Sequence, residues 1–106
     1  VDFRYDLAMA QRMGGDLEAA EANLDAVIAA RPDDGEAYYA RSDLRRQSAA
    51  SNHVASLEAA LARLTRKRAS LPVAFALAKE LEDLGEYPRS FAVLEQASRA
   101  LRAALH

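Results

Sequence analysis

Apolar residues return every three or four positions along most of the chain, and the breaks fall at Gly, Pro or clustered polar residues. That spacing puts apolar side chains on one face of a helix, and it predicts six helices. The first runs from Phe3 to Met13, with Leu7, Ala8 and Ala10 directed inward. Gly14-Gly15 ends it, because glycine accepts the left-handed conformation that closes a helix. Asp16 then stands where a carboxylate caps the orphan N–H groups of a second helix. Leu17, Ala20, Leu24, Val27 and Ile28 form the core stripe of that helix, and Pro32 stops it.

Asp33 or Asp34 caps a third helix over Gly35 to Gln47, with Tyr38, Arg41, Ser42 and Leu44 at inward or packing positions. The linker Ser48–Asn52 has no Gly-Asp turn and offers Ser51 or Asn52 as the next cap. A fourth helix carries Val54, Leu57, Leu61 and Leu64 and ends in Arg63, Arg66, Lys67 and Arg68, cations that suit the negative end of the helix dipole. Ser70 and Pro72 open a fifth helix with Phe75, Leu77, Ala78 and Leu81 facing in, and Leu84-Gly85 closes it. Pro88 starts the sixth, whose stripe is Phe91, Leu94, Ala97, Leu101 and Leu105.

The pattern repeats. Leu7-Ala8, Gly15-Asp16-Leu17, Ala20 and Leu24 recur as Leu77-Ala78, Gly85-Glu86-Tyr87, Ser90 and Leu94, an offset of 70 residues. This is close to two periods of about 34 residues, the signature of stacked helix–turn–helix units. With Pro32, these residues resemble the tetratricopeptide repeat. Ala8 and Ala20 match its small residues, Gly15 its turn, Leu24 its bulky packer and Pro32 its terminator. The first copy departs from the family pattern at Arg4, Gln11 and Val27. The middle copy is degenerate: Tyr38 and Ser42 fit, but the turn reads Ala49-Ala50.

The resemblance implies an all-α, right-handed solenoid of three helix–turn–helix repeats, over about 1–34, 35–70 and 71–106, forming one domain. It also implies a concave groove lined by the first helix of each repeat. Carried over position by position, that groove takes Tyr5, Met9, Arg12 and Met13, then Tyr39, Asp43 and Arg46, then Phe75, Lys79, Glu82 and Asp83. The implied occupant is a protein, a peptide or the chain's own downstream domain. A narrower likeness rests on Asn52-His53-Val54, on Leu57-Glu58-Ala59, and on the run from Phe75 to Tyr87 with Phe91 beyond. These segments resemble the repeat region of bacterial proteins that join tetratricopeptide repeats to a sulfotransferase domain. That likeness implies an accessory role beside a catalytic domain downstream. Pro88-Arg89-Ser90 echoes that domain's phosphosulfate loop but lacks its glycine and threonine and follows no strand.

Composition narrows the chemistry. The 106 residues contain no Cys, so disulfides, thiolate metal sites and cysteine nucleophiles are excluded, and a reducing, cytoplasmic setting is the expectation. No long apolar run predicts a membrane span. An opening Val and a final helical pattern suggest a piece of a longer protein. The net charge of −2 conceals an asymmetry: net −6 over 1–36, +5 over 37–68 and −1 thereafter. The basic run at 63–68 is short and carries no aromatic, so nucleic acid is not the expected partner. The two histidines, His53 and His106, have no metal-face spacing, and His53 is expected in a surface or first-turn position. Glu80, Glu82 and Asp83 are expected to be solvated. No catalytic, cofactor or metal residues are assigned, and the chain is expected not to be an enzyme. A homodimer through the last helix, by way of Leu94, Leu101 and Leu105, is the remaining partner expectation.

Overall fold

Two glycine turns set the frame. In the computed structural model, which describes residues 3–64 and 67–104, Gly15 and Gly85 adopt φ of 87° and 78°, the left-handed region that side chains resist. Each closes a helix in the same way. The N–H of Gly15 reaches the Arg12 carbonyl and that of Asp16 the Gln11 carbonyl; Gly85 and Glu86 do the same to Glu82 and Leu81. This double bond pattern satisfies carbonyls a helix end would otherwise leave open. Arg66, Leu105 and His106, named above, lie outside the described residues.

The described residues form six helices and no strand: α1 (Phe3–Met13), α2 (Leu17–Ala30), α3 (Gly35–Asp43), α4 (Val54–Arg63), α5 (Ser70–Asp83) and α6 (Tyr87–Ala104). The all-α expectation holds. Asp16 caps α2 by accepting from the Ala19 N–H, and Asp34, rather than Asp33, caps α3 by accepting from Ala37. Pro32 contributes more than a stop. Its carbonyl accepts from the Tyr38 hydroxyl at 2.9 Å and from Arg63 at 2.5 Å, tying the α2–α3 turn to α4.

Helices α1 and α2 pack as one hairpin and α5 and α6 as another. The middle differs. Helix α3 stops at Asp43 rather than Gln47, and it packs along α5 and against α2, while α4 packs along α5. Gly35 permits the first of these contacts: a Cβ there would sit 2.6 Å from the Ala69 carbonyl oxygen and 2.9 Å from Pro72. The fourth helix begins behind His53, and Asn52 contributes by accepting the Val54 N–H at 3.0 Å.

Two apolar clusters result. Ala8, Ala20, Leu24, Val27, Ala37, Ala40 and Leu44 join α1, α2 and α3; Tyr38, Leu57, Ala60, Leu64, Val73, Ala76, Leu77 and Leu81 join α3, α4 and α5. Ile28 packs against both. Each fully buried leucine stabilises the fold by about 1.5–3 kcal/mol relative to its exposed state. Helix α5 is the centre of the molecule, buried on nearly all sides except along Phe75, Lys79 and Glu82.

Several inward assignments are corrected. Leu7, Ala10 and Leu17 are exposed, on a face of the first hairpin that no other described residues cover. Phe75 is 46% exposed and faces out of the core. On α6 the contact face is turned from the predicted stripe: Ser90 is buried, Val93, Leu94 and Ala97 are half-buried, and Phe91 and Leu101 are exposed. Ser90 occupies the small-residue position where α6 crosses α5, and its hydroxyl donates to the Ala78 carbonyl at 2.8 Å. That contact also gives the Pro88-Arg89-Ser90 triplet a structural role. Arg89 pairs with Glu58 and Glu86 at 2.8 and 2.7 Å.

Candidate functional site

Three helices bring one set of groove residues together. Tyr5, Met9 and Arg12 from α1, Glu36, Tyr39, Ala40 and Asp43 from α3, and Pro72 and Phe75 from α5 line an open cleft of roughly 360 Å³. The spacing follows from helix geometry, since residues four apart stand one above another on a face. Tyr5, Met9 and Arg12 obey it on α1, and Tyr39 and Asp43 on α3. Arg12 donates to Asp43 at 2.8 Å, an ion pair that joins the two helices across the cleft. Both partners remain well exposed, so the pair is worth little to stability and stays available to polar groups of an occupant. Tyr39 and Phe75 are 41% and 46% exposed, an aromatic pair offered to solvent where burial would reward a partner.

Not every expected groove residue joins. Met13 is 89% exposed at the end of α1 and does not line the cleft. Arg46 lies beyond the end of α3. Lys79 donates to Asp83 and to the Arg45 carbonyl, which commits it to the segment after α3. Glu82 is exposed on the free stripe of α5 but outside the cleft.

Behind α3 the sequence reading missed a buried polar junction. Glu80 is wholly buried, and its carboxylate accepts from the Ser42 hydroxyl at 2.6 Å and the His53 amide at 2.6 Å. The His53 ring, with its side chain only 12% exposed, places Nδ1 2.8 Å from Glu80 and Nε2 2.9 Å from Glu21. Glu21 in turn accepts from Arg45 at 2.8 Å, and Arg45 reaches the Ser51 carbonyl and hydroxyl, both at 3.1 Å. Arg41, also buried, pairs with Asp25 at 3.0 Å and lies 5.6 Å from the Tyr38 ring centre. His53 stands at the start of α4, as one of its two expected placements had it, but its ring is largely buried and not on the surface; of the three carboxylates expected in solvent only Glu82 is exposed.

The electrostatics follow from these contacts. Bonding to Glu80 raises the His53 pKa above 6.5, against burial and the nearby Arg41 charge; Glu21 adds to the rise. Burial pushes the Glu80 carboxyl up, but donation from the His53 ring, Ser42 and the His53 amide outweighs it and leaves the pKa lowered. Arg45 holds the Glu21 carboxyl below its ordinary value, helped by His53. Asp83 is lowered despite burial by Lys79 and by the Gln47 N–H, which donates to it at 3.0 Å.

A second cleft, of roughly 320 Å³, lies beside α6 between Leu61, Leu71, Ala74, Val93, Ala97 and Leu101, with Lys67 and Arg68 at its rim. In the basic run, Arg63 and Lys67 each stand 3.6 Å from Asp33, so part of that charge is answered within the fold. Among the described residues no cluster of His, Asp and Glu is arranged to hold a metal ion, and no helix is long and apolar enough to cross a membrane. Compared with family models, curated proteins and solved structures, the chain matches none.

Proposed function

We propose that this chain is a non-catalytic interaction scaffold that holds a peptide, a helix or an adjoining domain in the α1–α3–α5 cleft, on a right-handed stack of three tetratricopeptide-like units. The observation that carries the reading is the convergence of Tyr5, Met9, Tyr39 and Phe75 around the Arg12–Asp43 pair. Exposed aromatic and methionine side chains around a polar contact are the composition of binding hot spots. The anchors come from three helices, so the cleft recognises shape only while those helices hold their spacing. The sulfotransferase association rests on the sequence likeness alone, and the same cleft serves an adjoining domain as readily as a separate peptide.

The test is a double substitution, Tyr39→Ala with Phe75→Ala. Losing both anchors lowers affinity for a cleft partner by about thirtyfold or more, at about 1 kcal/mol or more per hot-spot side chain, while the helical circular-dichroism signal is retained. Unchanged affinity would remove the cleft from the account. Self-association is a second reading, favoured by Phe91 at 67% and Leu101 at 47% exposure on α6.

A further inference from the structure

The His53 ring touches two carboxylates with its two nitrogens, through Nδ1 to Glu80 on α5 and Nε2 to Glu21 on α2. An ionised carboxylate only accepts hydrogen bonds, and a neutral imidazole has one N–H to give. Both contacts are satisfied together only by the imidazolium. Remove its second proton and one ring nitrogen turns a lone pair toward a carboxylate oxygen less than 3 Å away, in a site with little water to separate them.

We propose that His53 is a proton-operated latch: as the imidazolium it ties the first helical hairpin to the central helix, and on losing its proton it lets the 44–53 segment loosen. This inference is independent of the groove. The charged groups acting on the ring are Glu80 on α5, Glu21 on α2 and Arg41 on α3; behind them Asp25 on α2 pairs with Arg41, and Arg45 in the following segment pairs with Glu21. With His53 charged, three carboxylates meet three cations. With His53 neutral, an acidic excess is left within the junction.

The latch releases locally. Glu80 keeps Ser42 and the His53 amide, and Glu21 keeps Arg45, so the helices stay folded. The lost link is the one between α2 and α5, and it is made through the residue at which α4 begins. The raised His53 pKa agrees in sign. A histidine whose folded pKa lies above its unfolded value lends stability that is full below the unfolded value and disappears as pH rises through the folded one. The window therefore opens at the ordinary 6.5 and extends upward.

Two measurements on the intact chain test this. Imidazole 15N shifts, with His106 assigned by His106→Gln, show both His53 nitrogens protonated on the acid side of the titration and a midpoint above 6.5. A midpoint at or below that value overturns the latch. Amide exchange corrected for its intrinsic pH dependence shows protection around Ser51 and His53 falling about tenfold from about pH 6 to about pH 9, the equilibrium equivalent of one hydrogen bond to a charged group. Protection that does not change across this range also overturns it. Glu21→Gln, at a half-buried position, lowers the His53 midpoint; an unmoved midpoint shows that Nε2 is not engaged.

Discussion

The outer hairpins and the middle of the molecule solve the same problem in different ways. Between α1 and α2, and again between α5 and α6, a glycine with positive φ reverses the chain and the backbone bonds to itself. Between α3 and α4 there is no glycine. The chain from Leu44 to His53 takes ten residues, and side chains from elsewhere satisfy much of its backbone. Lys79 binds the Arg45 carbonyl, Asp83 the Gln47 N–H and Glu80 the His53 N–H, while Arg45, inside the segment, binds the Ser51 carbonyl. A local turn needs only its own residues; a long connection in a packed fold needs partners, because buried polar groups left open are costly. The middle is therefore where the two hairpins are joined, and its stability is distributed over α2, α3 and α5.

Breaking each kind of closure should cost different amounts. The largest loss is expected for Glu80→Ala, which strands the His53 ring, its amide and the Ser42 hydroxyl together: about 3–5 kcal/mol in urea unfolding, as for a buried ion pair that loses one partner. A cost below about 1 kcal/mol would mean the junction is no more than a surface pair. Gly15→Ala and Gly85→Ala come next, at about 1–2 kcal/mol each. Open space surrounds both positions, so the penalty is backbone strain and not a clash. Equal costs at the two glycines would support their equivalence, and a much larger cost at one would show a role beyond the turn. The smallest effect belongs to Tyr39→Ala with Phe75→Ala, expected to change stability by about 1 kcal/mol or less because both side chains are largely outside the core.

The same contrast explains what could be read from sequence. Gly15, Asp16 and Pro32 act on neighbours within a few residues, so their roles were legible, as was the Leu24 stripe. Helices α1, α2, α5 and α6 begin and end within a residue or two of the predicted positions, whereas α3 stops at Asp43 rather than Gln47 and α4 at Arg63, short of the predicted run to Arg68. On α6 periodicity identified apolar residues but not their orientation, because Phe91 and Leu94 belong to overlapping stripes and only one meets α5. Phe75 was assigned both to the core and to the groove, and the structure places it in the cleft, beyond the buried sides of α5. Glu80 was misread because a charged residue defaults to solvent. Its position three after Leu77 and four after Ala76 put it on the buried side, which was the available signal. Its partners Ser42 and His53 lie 38 and 27 residues away, and no local pattern links them.

The groove residues Tyr5, Met9, Arg12, Tyr39, Asp43 and Phe75 converge because α3 bridges α1 and α5, and α3 is held in place by the junction behind it. The function proposed for this chain rests on binding in that cleft. The most direct test is to select peptides from a random display library on the intact chain and titrate them into 15N-labelled protein. Amide shifts are expected to concentrate at those six residues, with the perturbation lost in Tyr39→Ala with Phe75→Ala. Shifts gathered instead around Phe91 and Leu101 on α6, or binding indifferent to the double substitution, would contradict it.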